Sequence, residues 1–439
     1  MTRQGEKIKS DDGRGGMEVA GESPRSILSS SLLDPTNDFN SRYRAARAYM
    51  DELAKPIGSL GRLEDHASRL CALLRSATPS VDDVVCLIFA ADHGIAGNAV
   101  DGGGMDCSSY PRSVTRKVLM GLERGMAGAS VLARANGVHL RVVDVGLASS
   151  SPSEEWGEGE EDGEEEDVDM PTTIPRLWSG DSVVRHPSDG TLGVSGGTRN
   201  FCAADAMTND DVDRCLSIGR TETSKFINDA RADMVIFGEV GIGNTTTSGA
   251  LIAALCGISD ARSLCGTGSA PYSDGIDDDV DDDDVRAMII SKKASIIDLA
   301  MRRHPSLVGD PRGALRAVGG AEIASIVGGM LECSSRDVPV LVDGYIVTTS
   351  AMIASMIDPL VTRLLIFATK STEVGQRVAL DEIRRIASAN DVPPPVMPAL
   401  DMRLRMGEAT GALLAVPLIR SACAIVTELA TLNEVLSLK

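Results

Sequence analysis

The chain has 439 residues, a formal net charge of −20, 43% hydrophobic residues and only 3% aromatic ones. That length suits a single large domain or two to three smaller ones with a full core, and no apolar run reads as long enough to enter a membrane. Few aromatics for stacking on bases, and no basic stripe, exclude nucleic acid as a partner.

The charge is local. Residues 154–169 hold eleven acids and no base, and residues 274–284 hold eight more. Self-repulsion without apolar groups predicts solvated surface insertions at 149–170 and 274–284. The second is not a calcium loop: counting from Asp277, an EF-hand needs glycine where Asp282 stands and glutamate where Met288 stands. Nine cysteines, an odd set without CxxC spacing, read as reduced core thiols. Five histidines without HExxH spacing give no metal centre. Together these features predict a cytoplasmic protein, with organelle import left open.

In chain order, residues 1–38 read as a disordered leader, with mixed charges and no apolar segment. Residues 39–80 read as helix with a break at "KPIGSLG", the first part of a smaller helical domain. Between 81 and 400, short apolar runs predict strands at 84–89, 140–143, 234–237, 338–342 and 364–367. Helical stretches fall at 112–136, 249–255, 285–303, 320–332 and 348–357. Continuous rather than alternating hydrophobicity marks strands covered on both faces, so the expected fold is α/β: a doubly wound, mainly parallel, Rossmann-like sheet. Ligands of such sheets bind at the carboxyl ends of the strands. The strand ends Asp92–His93, Asp144, the glycine loop after 237, Asp343 and 369–371 would therefore line one crevice. Residues 401–439 complete the helical domain.

Two stretches carry candidate chemistry. "GEVGIGNTTTSGA", residues 238–250, follows a buried strand and opens a helix. Gly241 and Gly243 let the backbone approach a ligand, and the free N–H groups of the helix start favour an anion. Neither GxxxxGK[ST] nor GxGxxG is present, so an anion loop and an Asn/Thr-capped turn are both open. Glu239, which would repel a phosphate, is expected to turn towards hydroxyls or a backbone amide.

In "RLRMGEATGALLAVPLIRSACAIV", residues 403–426, Glu408 precedes an apolar helix. Burial would make it a stronger base, whereas the helix dipole would make it a weaker one. Asp92 with His93, Lys293 and Asp343 each have both an active-site reading and a structural one. No nucleophile elbow or serine triad context appears.

The stretches "KPIGSLGRLE", "ADHG", "SSYPRSVT", "GTRNF", "GEVGIGNTTT", "CGTG", "VGGAEIASIVGGML", "VDGYIVTTSAMIA" and "MGEATGA", in this order, resemble the nicotinate-nucleotide:dimethylbenzimidazole phosphoribosyltransferase family from about Tyr43 to Val426. The resemblance implies transfer of phosphoribose from nicotinate mononucleotide to 5,6-dimethylbenzimidazole, with inversion, giving α-ribazole 5′-phosphate and nicotinate for the cobalamin lower ligand. It also implies a homodimer that needs no metal or other cofactor. By the same matching, Glu408 is the general base. Gly241, Lys293 and Ser371 contact phosphate, with Glu239, Gly243, Asn244 and Thr245 near the phosphoribosyl group, and Tyr110, Ile242 and Met406 wall the base pocket. Two positions depart from the family pattern: Ala409 stands where glycine is usual, and Thr369 where histidine is. A sister transferase for another base and a non-catalytic nucleotide binder are the rival readings.

Overall fold

The computed structural model describes residues 23–96, 104–105, 107–147, 183–185, 196–268, 282–305 and 307–438. The insertion at 149–170, residues 274–281 of the second tract and residues 1–22 of the leader lie outside the described residues.

Among the described residues, six strands form one parallel sheet: β1 (Val84–Ala91), β2 (Val138–Gly146), β3 (Val183–Arg185), β4 (Met234–Val240), β5 (Val340–Val342) and β6 (Leu365–Phe367). Their spatial order is β3-β2-β1-β4-β5-β6. This is the doubly wound order, which reverses direction between β1 and β4 and opens a crevice beyond the strand ends there. Every residue of β1 and β4 is buried.

Successive side chains go to opposite faces. Val85, Leu87 and Phe89 meet one helical layer, formed by α6 (Asn209–Ala230), α7 (Asn244–Cys256), α10 (Ala321–Arg336) and α11 (Tyr345–Ile357). Phe89 stacks on Phe237 in that layer, with ring centroids 6.4 Å apart. Cys86 and Ile88 meet the other layer, formed by α4 (Val114–Glu123), α5 (Gly128–Ala135) and the first half of α13 (Thr410–Glu428). Two-sided cover is why the strands read as unbroken apolar runs.

The helix expected over 112–136 is instead α4 and α5, broken at Gly125, whose φ of 72° is left-handed. The helices α8 (Asp282–Arg303), α9 (Pro311–Val318) and α12 (Gly375–Ala389) complete the main body.

A separate apolar cluster joins the two flanks of the chain. It contains Leu28 and Leu32 of α1 (Pro24–Leu33), Tyr49 and Met50 of α2 (Phe39–Glu52), Ala67 and Cys71 of α3 (Arg62–Leu74), and Ala422 and Val426 of α13. Ala54 N–H donates to the Ala430 carbonyl just before α14 (Leu432–Leu436), tying the flanks together. The expectation of a disordered leader over 1–38 fails for α1, because Leu28 and Leu32, four residues apart, give it a buried stripe, and Ser23 caps it. The expectation that no apolar run reaches membrane-spanning length fails for α13, which passes that test on length and composition. Its apolarity has another use: 56% of the tested window is buried, against the sheet at one end and the flank cluster at the other.

α6 and α10 touch backbone to backbone. A Cβ at Gly219 would lie 1.8 Å from the Ser325 carbonyl oxygen. Gly219→Ala should therefore reverse the usual gain of about 1 kcal/mol for Gly→Ala in a helix and destabilise by about 1–3 kcal/mol or more. Urea unfolding would show it as a lowered midpoint at unchanged m-value.

Candidate active site

Beyond the ends of β4, β5 and β6 lies a cavity of about 290 Å³. All eleven residues singled out from the sequence line it: Tyr110, Glu239, Gly241, Ile242, Gly243, Asn244, Thr245, Lys293, Ser371, Met406 and Glu408. Of the strand ends expected in the crevice, Asp343 and Thr369 line it as well. Asp92, His93 and Asp144 do not line it. His93 is buried behind the glycine loop, its Nε2 2.7 Å from Glu322 Oε1 and its Nδ1 3.0 Å from the Thr247 hydroxyl. Asp144 instead accepts from Gly146 and Leu147 N–H, closing its own turn.

The glycine loop follows from close approach. A Cβ at Gly241 would stand 2.7 Å from the Ala91 carbonyl, so β4 can enter the turn only as glycine. Gly243 then precedes α7 with φ 101°, and no side chain among the described residues caps the helix start. The buried Lys293 of α8 reaches across to this turn, its Nζ 3.0 Å from Thr245 Oγ1 and 3.1 Å from the Gly266 carbonyl. An uncapped helix start beside an ammonium group is an arrangement for an anion.

Glu239 turns not to the expected hydroxyl or backbone amide but to a side-chain amide, that of Asn244, whose Nδ2 donates to its Oε2. Burial, and then the charges of Glu322, Asp343 and Glu408, push its carboxyl well above the ordinary range. Its neutral form is therefore favoured, which lessens repulsion of an anion in the cavity.

Glu408 sits on a tight left-handed turn: Gly407, Glu408 and Ala409 have φ of 79°, 57° and 62°. L-residues other than glycine reach this region at a cost of about 1 kcal/mol each. The turn is wedged on β4, where a Cβ at Gly407 would meet Glu239 Oε1 at 2.6 Å and one at Gly238 would meet the Ala409 methyl at 2.9 Å. Ala409, the departure from glycine, is therefore accommodated only because Gly238 faces it.

The anticipated effect of burial on Glu408 is present, and the opposing one comes from a hydrogen bond of α5 rather than from the dipole of the helix it precedes. Its carboxylate accepts the Ala129 N–H at the start of α5, which lowers its pKa, but burial outweighs this and raises it. Among the described residues, Glu408 Oε2 is buried without a hydrogen-bond partner. A carboxylate of raised pKa with one open oxygen can take a proton from a bound ligand. Around it the walls are mixed, with Ile242 half-buried and Tyr110 and Met406 exposed at 36% and 52%.

Three further contributors hold these residues in place; Asp343, read from the sequence as either a site residue or a turn former, is one, and the other two, Glu373 and the loop Gly266–Gly268, were not singled out as site residues. Asp343, at the end of β5, accepts from the Gly344 and Gly411 N–H groups and from Ala412 N–H at 2.8 Å, so it caps α13 and fixes the turn that carries Glu408. Glu373 and the loop Gly266–Gly268 form the wall beside Lys293. The sequence signal for all three was position: polar residues just past an apolar strand, or a glycine pair, in a fold whose strand ends bind ligands.

Burial pushes the Asp343 carboxyl up to about 6 from its ordinary 3.8, despite its three N–H donors. A raised folded value means that the contribution to stability is complete below about pH 4 and is lost as pH rises through about 6. Relative to Asp343→Asn, the natural chain should lose about 3 kcal/mol of unfolding free energy across that window. Urea titrations of both proteins at pH 4 and pH 7 check this, and a constant difference would contradict it.

A family model described as phosphoribosyltransferase matches residues 37–435. A nicotinate-nucleotide-dimethylbenzimidazole phosphoribosyltransferase of Geobacter sulfurreducens is 36% identical over 393 residues, covering 89% of this chain and 92% of its own. One of Pseudomonas fluorescens is 34% identical over 394 residues, with 89% and 93% covered. The crystal structure of the enzyme of that name from Thermus thermophilus superposes with a TM-score of 0.68 at 28% identity, covering 90% of this chain and 98% of that one. The chain belongs to the nicotinate-nucleotide-dimethylbenzimidazole phosphoribosyltransferase family.

Proposed function

We propose that the protein transfers the phosphoribosyl group of nicotinate mononucleotide to 5,6-dimethylbenzimidazole, releasing nicotinate and forming α-ribazole 5′-phosphate. One observation carries the chemistry: the open, buried Oε2 of Glu408 shares a cavity with an uncapped helix start and Lys293.

The phosphate lies against Gly241, Lys293 and Ser371, and the ribose between Glu239, Gly243, Asn244 and Thr245. Tyr110, Ile242 and Met406 hold the benzimidazole. One ring nitrogen attacks the anomeric carbon as Glu408 removes the proton from the other. The departing nicotinate is a pyridinium and needs no acid, since it takes the electron pair of the C–N bond and leaves with a neutral ring nitrogen. The protein therefore has three tasks: alignment, exclusion of water that would hydrolyse the sugar, and acceptance of one proton. The working unit in this reading is a homodimer, as the sequence resemblance implies.

Incubation with nicotinate mononucleotide and a panel of azoles, with product identification, tests the reading. α-Ribazole 5′-phosphate from dimethylbenzimidazole is expected; product only from another base would make it a sister transferase, and none at all a binder. Glu408→Gln should lower kcat by about two to four decades while largely sparing nucleotide affinity. The raised pKa of Glu408 should place an acid limb in the kcat profile above the ordinary glutamate value of 4.5, with activity rising as pH rises. That limb should vanish from the residual activity of Glu408→Gln. Lys293→Ala should raise KM for the nucleotide about tenfold or more and leave KM for the base near its original value.

A further inference from the structure

Glu373 is a buried acid at the wall of a cavity read as a phosphate site, a place where negative charge works against the ligand. Its bonds explain its presence. Oε2 accepts Gly266 N–H at 3.0 Å and Oε1 accepts Gly268 N–H at 2.6 Å. Both oxygens thus face the loop rather than the open cavity. The carbonyl of the same Gly266 accepts from Lys293 Nζ at 3.1 Å. Glu373's own N–H donates to Ser371 Oγ at 3.1 Å. The loop is seated firmly, for a Cβ at Gly266 would fall 2.4 Å from Glu373 Oε1. At its start, the Leu264 carbonyl accepts the Tyr345 hydroxyl at 3.1 Å.

We propose that Glu373 is a positioning residue for the phosphate end of the cavity: through one side chain and one N–H it sets Ser371, the Gly266–Gly268 loop and, by the Gly266 carbonyl, the ammonium of Lys293. This rests on the transferase reading above. The carboxylate does not touch the nucleotide. It spends both oxygens on N–H groups that would otherwise be unpaired in the wall, and its charge offsets the buried ammonium beside it.

Glu373→Gln is the test, because an amide has one accepting oxygen and must turn an N–H2 towards the other loop N–H. The variant should raise KM for nicotinate mononucleotide and the dissociation constant of inorganic phosphate, the latter by calorimetry, each by about tenfold or more. KM for dimethylbenzimidazole and kcat at saturating nucleotide should stay within about threefold, because 0.7 kcal/mol is roughly that factor. Glu373→Asp, which keeps both oxygens one methylene short, should fall between the two and is the usable variant should the glutamine form fail to fold. Unchanged nucleotide KM, or equal rises in the KM of nucleotide and base, would overturn the assignment. If the natural protein binds phosphate but makes no ribazole phosphate, the transferase reading fails, and the calorimetric comparison still decides the role of Glu373.

Discussion

The structure turns on one constraint, that a glutamate must be kept in an apolar wall with an oxygen left open. Water would solvate that oxygen and weaken the base, and the turn that carries it is accordingly packed against three elements, leaving the carboxyl buried at the cavity wall. β4 lies beneath the turn, α5 offers its first N–H groups, and α13 leaves it directly into the core. The opposing influence, a helix start that favours the charged form, is present and is outweighed by burial. The balance leaves the group charged enough to act and poorly enough solvated to want the proton.

The other end of the cavity follows the opposite rule. There the polar groups are positioned before any ligand arrives, Lys293 by Thr245 and Gly266, Glu373 by two N–H groups and Glu239 by Asn244, beside the uncapped start of α7. An end that holds an anion benefits from rigid donors, and an end that takes a proton benefits from an unmet acceptor. The acids between them, Glu239 and Asp343, have raised pKa values for the same reason, since each is buried. Their clustering limits how much negative charge the cavity holds when the nucleotide enters.

Much of this was legible in the sequence, and the physical reasons differ by element. β1, β4, β5 and β6 were visible because strands covered on both faces must be unbroken apolar runs. β3 was not, because its only apolar residues are Val183 and Val184, set between Ser182 and Arg185. The break between α4 and α5 depends on one left-handed glycine inside a helix-forming stretch, a signal too small to outweigh its surroundings. α1 was missed because two leucines on one face disappear in an average over a polar leader. All eleven candidate site residues came to line one cavity, yet of the residues that hold them in place Glu373 did not stand out and Asp343 did so only as a strand end. Asp343 and Glu373 act through backbone N–H groups brought close by the fold, and no spacing rule encodes those partners.

Ala409 shows what such packing demands over time. Glycine would adopt the left-handed bend freely, and would also let the bend wander. The methyl group stiffens the chain next to the acid and fills the hollow above Gly238, so the turn is harder to form and harder to leave. A side chain at position 238 would meet not only that methyl but also the backbone nitrogen of Ala409 at 3.0 Å and the carbonyl carbon of Glu408 at 3.1 Å, so even glycine at 409 would leave 238 closed to anything larger.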